Sequence, residues 1–94
     1  MTYVSEKLKE HKYLIPCLIE DSGINHERRV IFPCYNSNGK LGVETIVCHP
    51  DHVDEDKGLC RTDFLRWNGE EAIVDMNKTV CRIHKDSLIE NLIK

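Results

Sequence analysis

Side chains able to bind a metal or act as nucleophiles cluster once along this chain, in Cys48-His49-Pro50-Asp51-His52 followed by Cys60. Zinc takes four ligands in a tetrahedron, deprotonated Cys or neutral His. Cys48, His52 and Cys60 supply three of these, and the Cys81-x-x-His84 pair offers a fourth, so zinc is the candidate cofactor. Two features count against it. The spacing from Cys48 to Cys60 matches no common zinc module, and adjacent strand residues such as Cys48 and His49 point to opposite faces. The competing reading is a histidine-bearing acidic loop between ordinary core thiols. The five cysteines, at 17, 34, 48, 60 and 81, form no C-x-x-C. Neither a zinc ribbon nor a thioredoxin-type pair is signalled.

Asp51, Asp54, Glu55, Asp56 and Gly58 have calcium-ligand character, but the position where an EF-hand loop needs its closing glutamate holds Phe64. These carboxylates read as a solvated acidic loop, suited to meeting a basic surface on a partner. Thiol catalysis needs a base beside the sulfur. Cys48 with His49 or His52, and Cys81 with His84, have the right types, but no surrounding motif marks an active site, and the chain is expected not to be an enzyme. Arg28, Arg29, Arg61, Arg66, Arg82 and Lys85 are the basic residues open to nucleic acid, with Tyr35, Phe64 and Trp67 as stacking groups. Thirteen basic residues against 16 acidic ones, a net charge of −3, make nucleic acid the less expected partner.

The elements that carry these residues follow from pattern and turn chemistry. Ninety-four residues with 40% apolar content suit a single domain, residues 1–94. No apolar run approaches the roughly 20 residues a membrane span needs. Glu6, Lys7, Lys9 and Glu10 stand where a secretory signal would be apolar. Without that signal, unpaired thiols point to a cytoplasmic protein. Ser5-Glu6 reads as the start of a short N-terminal helix. Residues 13–20 form a strand that Pro16 confines to an edge or a bulge.

Residues 29–36 and 41–48 flank Asn38-Gly39, the favoured two-residue hairpin loop. That loop sets Cys34 against Val43, Phe32 against Thr45 and Val30 against Val47. Val30, Phe32, Cys34, Leu41, Val43 and Val47 then face the core. A second hairpin at Asn68-Gly69 pairs Arg66 with Glu71 and Leu65 with Ala72, and puts Trp67 on the core face. A third at Asn77-Lys78 pairs Met76 with Thr79, Val74 with Cys81 and Ala72 with Ile83. Ser87-Leu88-Ile89-Glu90 has the form of a capping box, so a C-terminal helix is expected, with Leu88, Ile89, Leu92 and Ile93 on its apolar face.

The expected fold is α+β and mostly β: a small bent antiparallel sheet or SH3-like barrel of five to six strands, with a short N-terminal and a C-terminal capping helix. Residues 71–94 resemble the close of SH3-like barrels, a strand, a tight turn, a strand and a helical turn packing back. That resemblance is to a fold and implies no activity. Ile31, Tyr35, Ile46, Phe64, Ile73 and Val80 are left on the face opposite the expected core. Apolar residues gathered outside a core mark an interface unless the terminal helices cover them. The first five of these, with Asp51, Asp54, Glu55 and Asp56, are the expected partner-binding residues. The expected function is a non-enzymatic protein-interaction module that regulates or inhibits a larger partner, or forms a homodimer. The alternative is a zinc-stabilised module that binds nucleic acid.

Overall fold

The structure is a computed structural model, and it describes residues 4–92. Among the described residues nine strands run in chain order: β1 (Tyr13–Pro16), β2 (Leu18–Asp21), β3 (Arg28–Tyr35), β4 (Leu41–Cys48), β5 (Val53–Asp54), β6 (Leu59–Asn68), β7 (Glu71–Met76), β8 (Thr79–His84) and β9 (Ile89–Glu90). They join one antiparallel sheet in the order β2-β3-β8-β7-β6-β1-β9, with β4 on β3 and β5 on β6. The sheet curls into a half-barrel around Val30, Phe32, Ile46, Val53, Val74, Met76 and Ile83. Fully burying an aliphatic or aromatic side chain of this size contributes about 1.5–3 kcal/mol.

The curl starts where Pro16 stands. β1 pairs with β6, β2 pairs with β3, and the chain changes partner at Cys17, whose N–H donates to the Gly58 carbonyl at 2.9 Å. Proline has no N–H for a ladder, so the break falls beside it. Pro33 is tolerated within β3 for a related reason. It lies between the last β2 pair, at Ile31, and the single β8 pair, at Tyr35, where β3 has only β4 beside it.

Neither expected helix forms among the described residues. Near the N-terminus Ser5 does cap, since its Oγ accepts from the Leu8 N–H at 3.2 Å, but only isolated turns follow. At the other end, Lys85–Ser87 makes one 3₁₀ turn, with His84 Nδ1 accepting from the Asp86 N–H at 3.1 Å. Ile89 and Glu90 then extend as β9 and pair with Leu14 and Tyr13. The free edge of β1 offers main-chain partners that a four-residue capping box cannot outbid. Leu92 is described and exposed, and Ile93 lies outside the described residues. Buried Asn91 ties the two ends together: its Nδ2 donates to the carbonyls of Ser5, Leu8 and His11, and its Oδ1 accepts from the Ser5 N–H.

Two hairpin registers differ from expectation, and one agrees. Asn77 and Lys78 both have positive φ, as a two-residue loop of this type requires, and Met76↔Thr79, Val74↔Cys81 and Ala72↔Ile83 are paired. At Asn38-Gly39 only Gly39 has positive φ. Asn36 Oδ1 accepts from the N–H groups of Asn38 and Lys40 and organises a five-residue loop instead. The pairs become Cys34↔Gly42, Phe32↔Glu44 and Val30↔Ile46, a slip of one residue. Such a slip turns every β4 side chain to the other face. At the second hairpin the loop is Gly69-Glu70, Arg66 faces Ile73, and a bulge at Leu65 absorbs the shift. Leu65, at the bulge, is 48% exposed, and Trp67, although opposite buried Ala72, is 56% exposed at the end of the hairpin.

Candidate functional site

In an antiparallel sheet, residues directly opposite share a face. Leu18 pairs with Ile31, and Ile31 with Thr45; Pro33 pairs with Val43 and Tyr35 with Leu41; Arg29 lies between Glu20 and Val47. This places Leu18, Ile31, Leu41, Val43 and Val47 on one outer surface of β2, β3 and β4. Val43 is 74% exposed, Leu41 61% and Leu18 59%. The charges at the border are engaged with each other, since Arg29 Nε lies 3.3 Å from Glu20 Oε1. Among the described residues β4 pairs only with β3, which leaves its other edge without a strand. That edge is partly closed by side chains. The Thr45 N–H donates to Glu44 Oε1 at 3.2 Å, and Asn77 Nδ2 donates to the Val47 carbonyl at 2.8 Å. Capped main-chain groups discourage strand addition while leaving the face itself uncovered.

The expected apolar partner residues divide between surface and core. Ile31, Tyr35 and Phe64 are half-buried, whereas Ile46 and Ile73 are buried and offer no surface. Ile46 is inside because of the β4 slip. Leu41, Val43 and Val47 were expected in the core and are outside for the same reason. Phe64 instead joins an aromatic row with Tyr13 and Trp67, at centroid distances of 5.4 and 4.9 Å.

Two of the four expected acidic-loop carboxylates, Asp54 and Glu55, are committed within the fold. Asp54 is buried and accepts from Ser5 Oγ at 2.7 Å and from the Lys57 N–H at 3.3 Å. Glu55 Oε1 accepts from Arg28 Nε at 3.1 Å. Asp51 is exposed, and its N–H donates to His49 Nδ1 at 3.0 Å. Asp56 is exposed. Several of the candidate nucleic-acid contacts are likewise held in ion pairs, Arg28 with Glu55, Arg29 with Glu20, Arg82 with Glu71 and Lys85 with Glu70.

Cys48, His52 and Cys60 do line one narrow recess, together with Ile46, Arg61 and Asn77. Among the described residues, however, no group of three or more His, Cys, Asp or Glu side chains is placed to hold a metal ion. Cys81 and His84, the fourth-ligand candidates, lie on β8 and not at this recess. All five thiols are free. Cys17 adjoins Cys48 and Cys60, and Cys34 adjoins Cys81. The hydrogen bond from Cys60 lowers the Cys48 pKa and Arg61 adds to this, against the effect of burial. Cys60 is raised by serving as that donor and by burial. Burial pushes Cys17 and Cys81 up to about 12. His52 Nδ1 and Arg61 Nε are buried without hydrogen-bond partners. Sequence reasoning missed the part played here by Cys17, which only the partner change after Pro16 and the β1–β6 pairing bring in, and by Arg61, although it adjoins Cys60 on β6.

Comparison with family models, curated proteins and solved structures gives no match.

Proposed function

We propose that this chain is a non-enzymatic protein-interaction module, and that it docks through the outer face of β2, β3 and β4. One observation carries the reading: among the described residues, Leu18, Leu41 and Val43 are each more than half exposed on one continuous sheet face. Contiguous exposed apolar surface marks an interaction site. The partner best suited to that face is a second copy of it. Its centre is uncharged, and Arg29 and Glu20 already satisfy each other, so an isologous two-fold pairing of two such faces buries no unpaired charge. Regulation or inhibition of a larger protein would use the same face, with that protein replacing one copy. The curl of the sheet, with a bent β1–β2 segment shared between β6 and β3, supports an SH3-like barrel as its class. Five free thiols support a reducing, cytoplasmic setting. No helix among the described residues is long and apolar enough to cross a membrane.

Sedimentation velocity over the micromolar range tests the reading. The wild-type chain should associate, and Val43→Glu should shift the equilibrium to monomer. Val80→Glu, an equally drastic change at an exposed β8 position, should leave association intact. A wild-type chain monomeric throughout, or equal loss in both variants, overturns the assignment.

A further inference from the structure

Two clefts meet at Glu10 and His11, and no residue of β2, β3 or β4 lines either one. The first, of about 380 Å³, is walled by Lys7, Lys9, His11 and His52, with Glu10 and Asp51. Lys7 and Lys9 are exposed, and neither stands in an ion pair among the described residues. The second, of about 240 Å³, is walled further by Lys12, Tyr13, Thr62, Asp63 and Phe64. Past it the aromatic row continues to Trp67, the sole tryptophan and an exposed one. β1 pairs with β6 only as far as Thr62, so from Asp63 to Asn68 that edge of β6 has no strand beside it among the described residues. The row starts at the first residue of β1 and runs along this uncovered stretch. Successive rings are tilted by 50° and 53°, so none is sealed face to face against the next. Lys12 Nζ lies 5.3 Å from the Tyr13 ring centroid and holds a positive charge where the basic cleft passes into the aromatic row.

We propose that these joined clefts bind single-stranded nucleic acid, with phosphates over Lys7, Lys9 and Lys12 and unpaired bases stacked on Phe64 and Trp67. A basic track beside a row of rings is the pairing that single strands use, because every base has a face to stack. A duplex keeps its base faces inside and carries a denser charge, which the net charge of −3 on this chain opposes. A lone nucleotide leaves part of the row unused. Glu10 and Asp51 oppose phosphates in the first cleft, whereas Asp63 is offset by Arg61 Nη1 at 4.0 Å. The affinity expected is therefore that of sequence-independent binding, a dissociation constant of about 1–100 µM. The phosphate-binding residues are not the arginines that the sequence singles out, several of which are held in ion pairs, but lysines of the segment ahead of β1. This inference goes beyond the docking face and does not depend on it.

The test follows the anisotropy of a labelled oligothymidylate of about ten nucleotides, with quenching of Trp67 fluorescence as a second readout. Binding in the range above is expected at about 50 mM salt, and the logarithm of affinity should fall against that of salt with a slope of about −2, as three lysines require. Trp67→Ala should weaken binding about 10-fold and leave the slope unchanged. Lys7→Gln combined with Lys9→Gln should reduce the slope to about −0.7. All three side chains are exposed, so these changes spare the core. Val43→Glu should bind as the wild type does, which separates failure here from failure of the docking face. No binding at strand concentrations up to about 1 mM overturns the proposal. So does unchanged affinity in Trp67→Ala, or equal affinity for a duplex, for thymidine monophosphate or for oligoglutamate.

Discussion

Replacing Asp54 by Ala removes a carboxylate that is 6% exposed and accepts from Ser5 Oγ at 2.7 Å. A hydrogen bond to a charged group contributes about 1.5–3 kcal/mol, and a buried donor left alone costs about 1–3 kcal/mol. Ser5 is fully buried, so its hydroxyl has no route to water once the carboxylate is gone. The second bond, from the Lys57 N–H, is longer at 3.3 Å and only partly buried, and adds little. Together these give a loss of about 2–4 kcal/mol. A chain of this length holds about 5–14 kcal/mol in total. Asp56, two residues on, is exposed, and Asp56→Ala should change stability by about 0.5 kcal/mol or less. Urea unfolding followed by circular dichroism separates the two variants, with the Asp54→Ala midpoint lower by about 1–3 M. Equal midpoints would refute the claim that Asp54 is a structural carboxylate and would return it to the solvated loop expected from sequence.

Asn91→Ala removes three donations to main-chain carbonyls and one acceptance from Ser5, and should cost about 2–3 kcal/mol in the same urea assay. Gly58→Ala should destabilise by about 1–2 kcal/mol, because Gly58 has φ +65° and an added Cβ would lie 3.2 Å from the Cys17 carbonyl oxygen. Burial, and then Arg61, holds the His52 pKa below its ordinary 6.5, so the unfolded chain takes up that proton first. The contribution of His52 to stability is therefore present above about pH 6.5 and lost as pH falls below it, and His52→Gln should flatten the thermal-stability profile between pH 7 and 5.

The legible parts of the fold were those that local chemistry settles alone. Asn77-Lys78 supplies two residues that accept positive φ, and its hairpin register was readable to the residue. Asn38-Gly39 carries a similar local signal, but the Asn36 side chain, outside the dipeptide, gathers Asn38 and Lys40 and lengthens the loop. One residue of slip then sent Ile46 inward and Leu41, Val43 and Val47 outward, so an apolar outer face was foreseen but its members were not. The C-terminal capping box failed for a tertiary reason, because β1 had an edge to fill. The Cys48, His52 and Cys60 neighbourhood was visible as a sequence cluster. Its chemistry was not, because Cys17 arrives only through the pairing of β1 with β6, and the burial of Arg61 Nε without a partner is a product of the fold.

Amide hydrogen exchange, followed at low and at high protein concentration, tests the docking face most directly. Concentration-dependent protection should appear in β2, β3 and β4, centred on Leu18, Ile31 and Val43, with the β7–β8 hairpin unchanged. Protection that is independent of concentration, or that grows around Trp67 or Val80 instead, would contradict it.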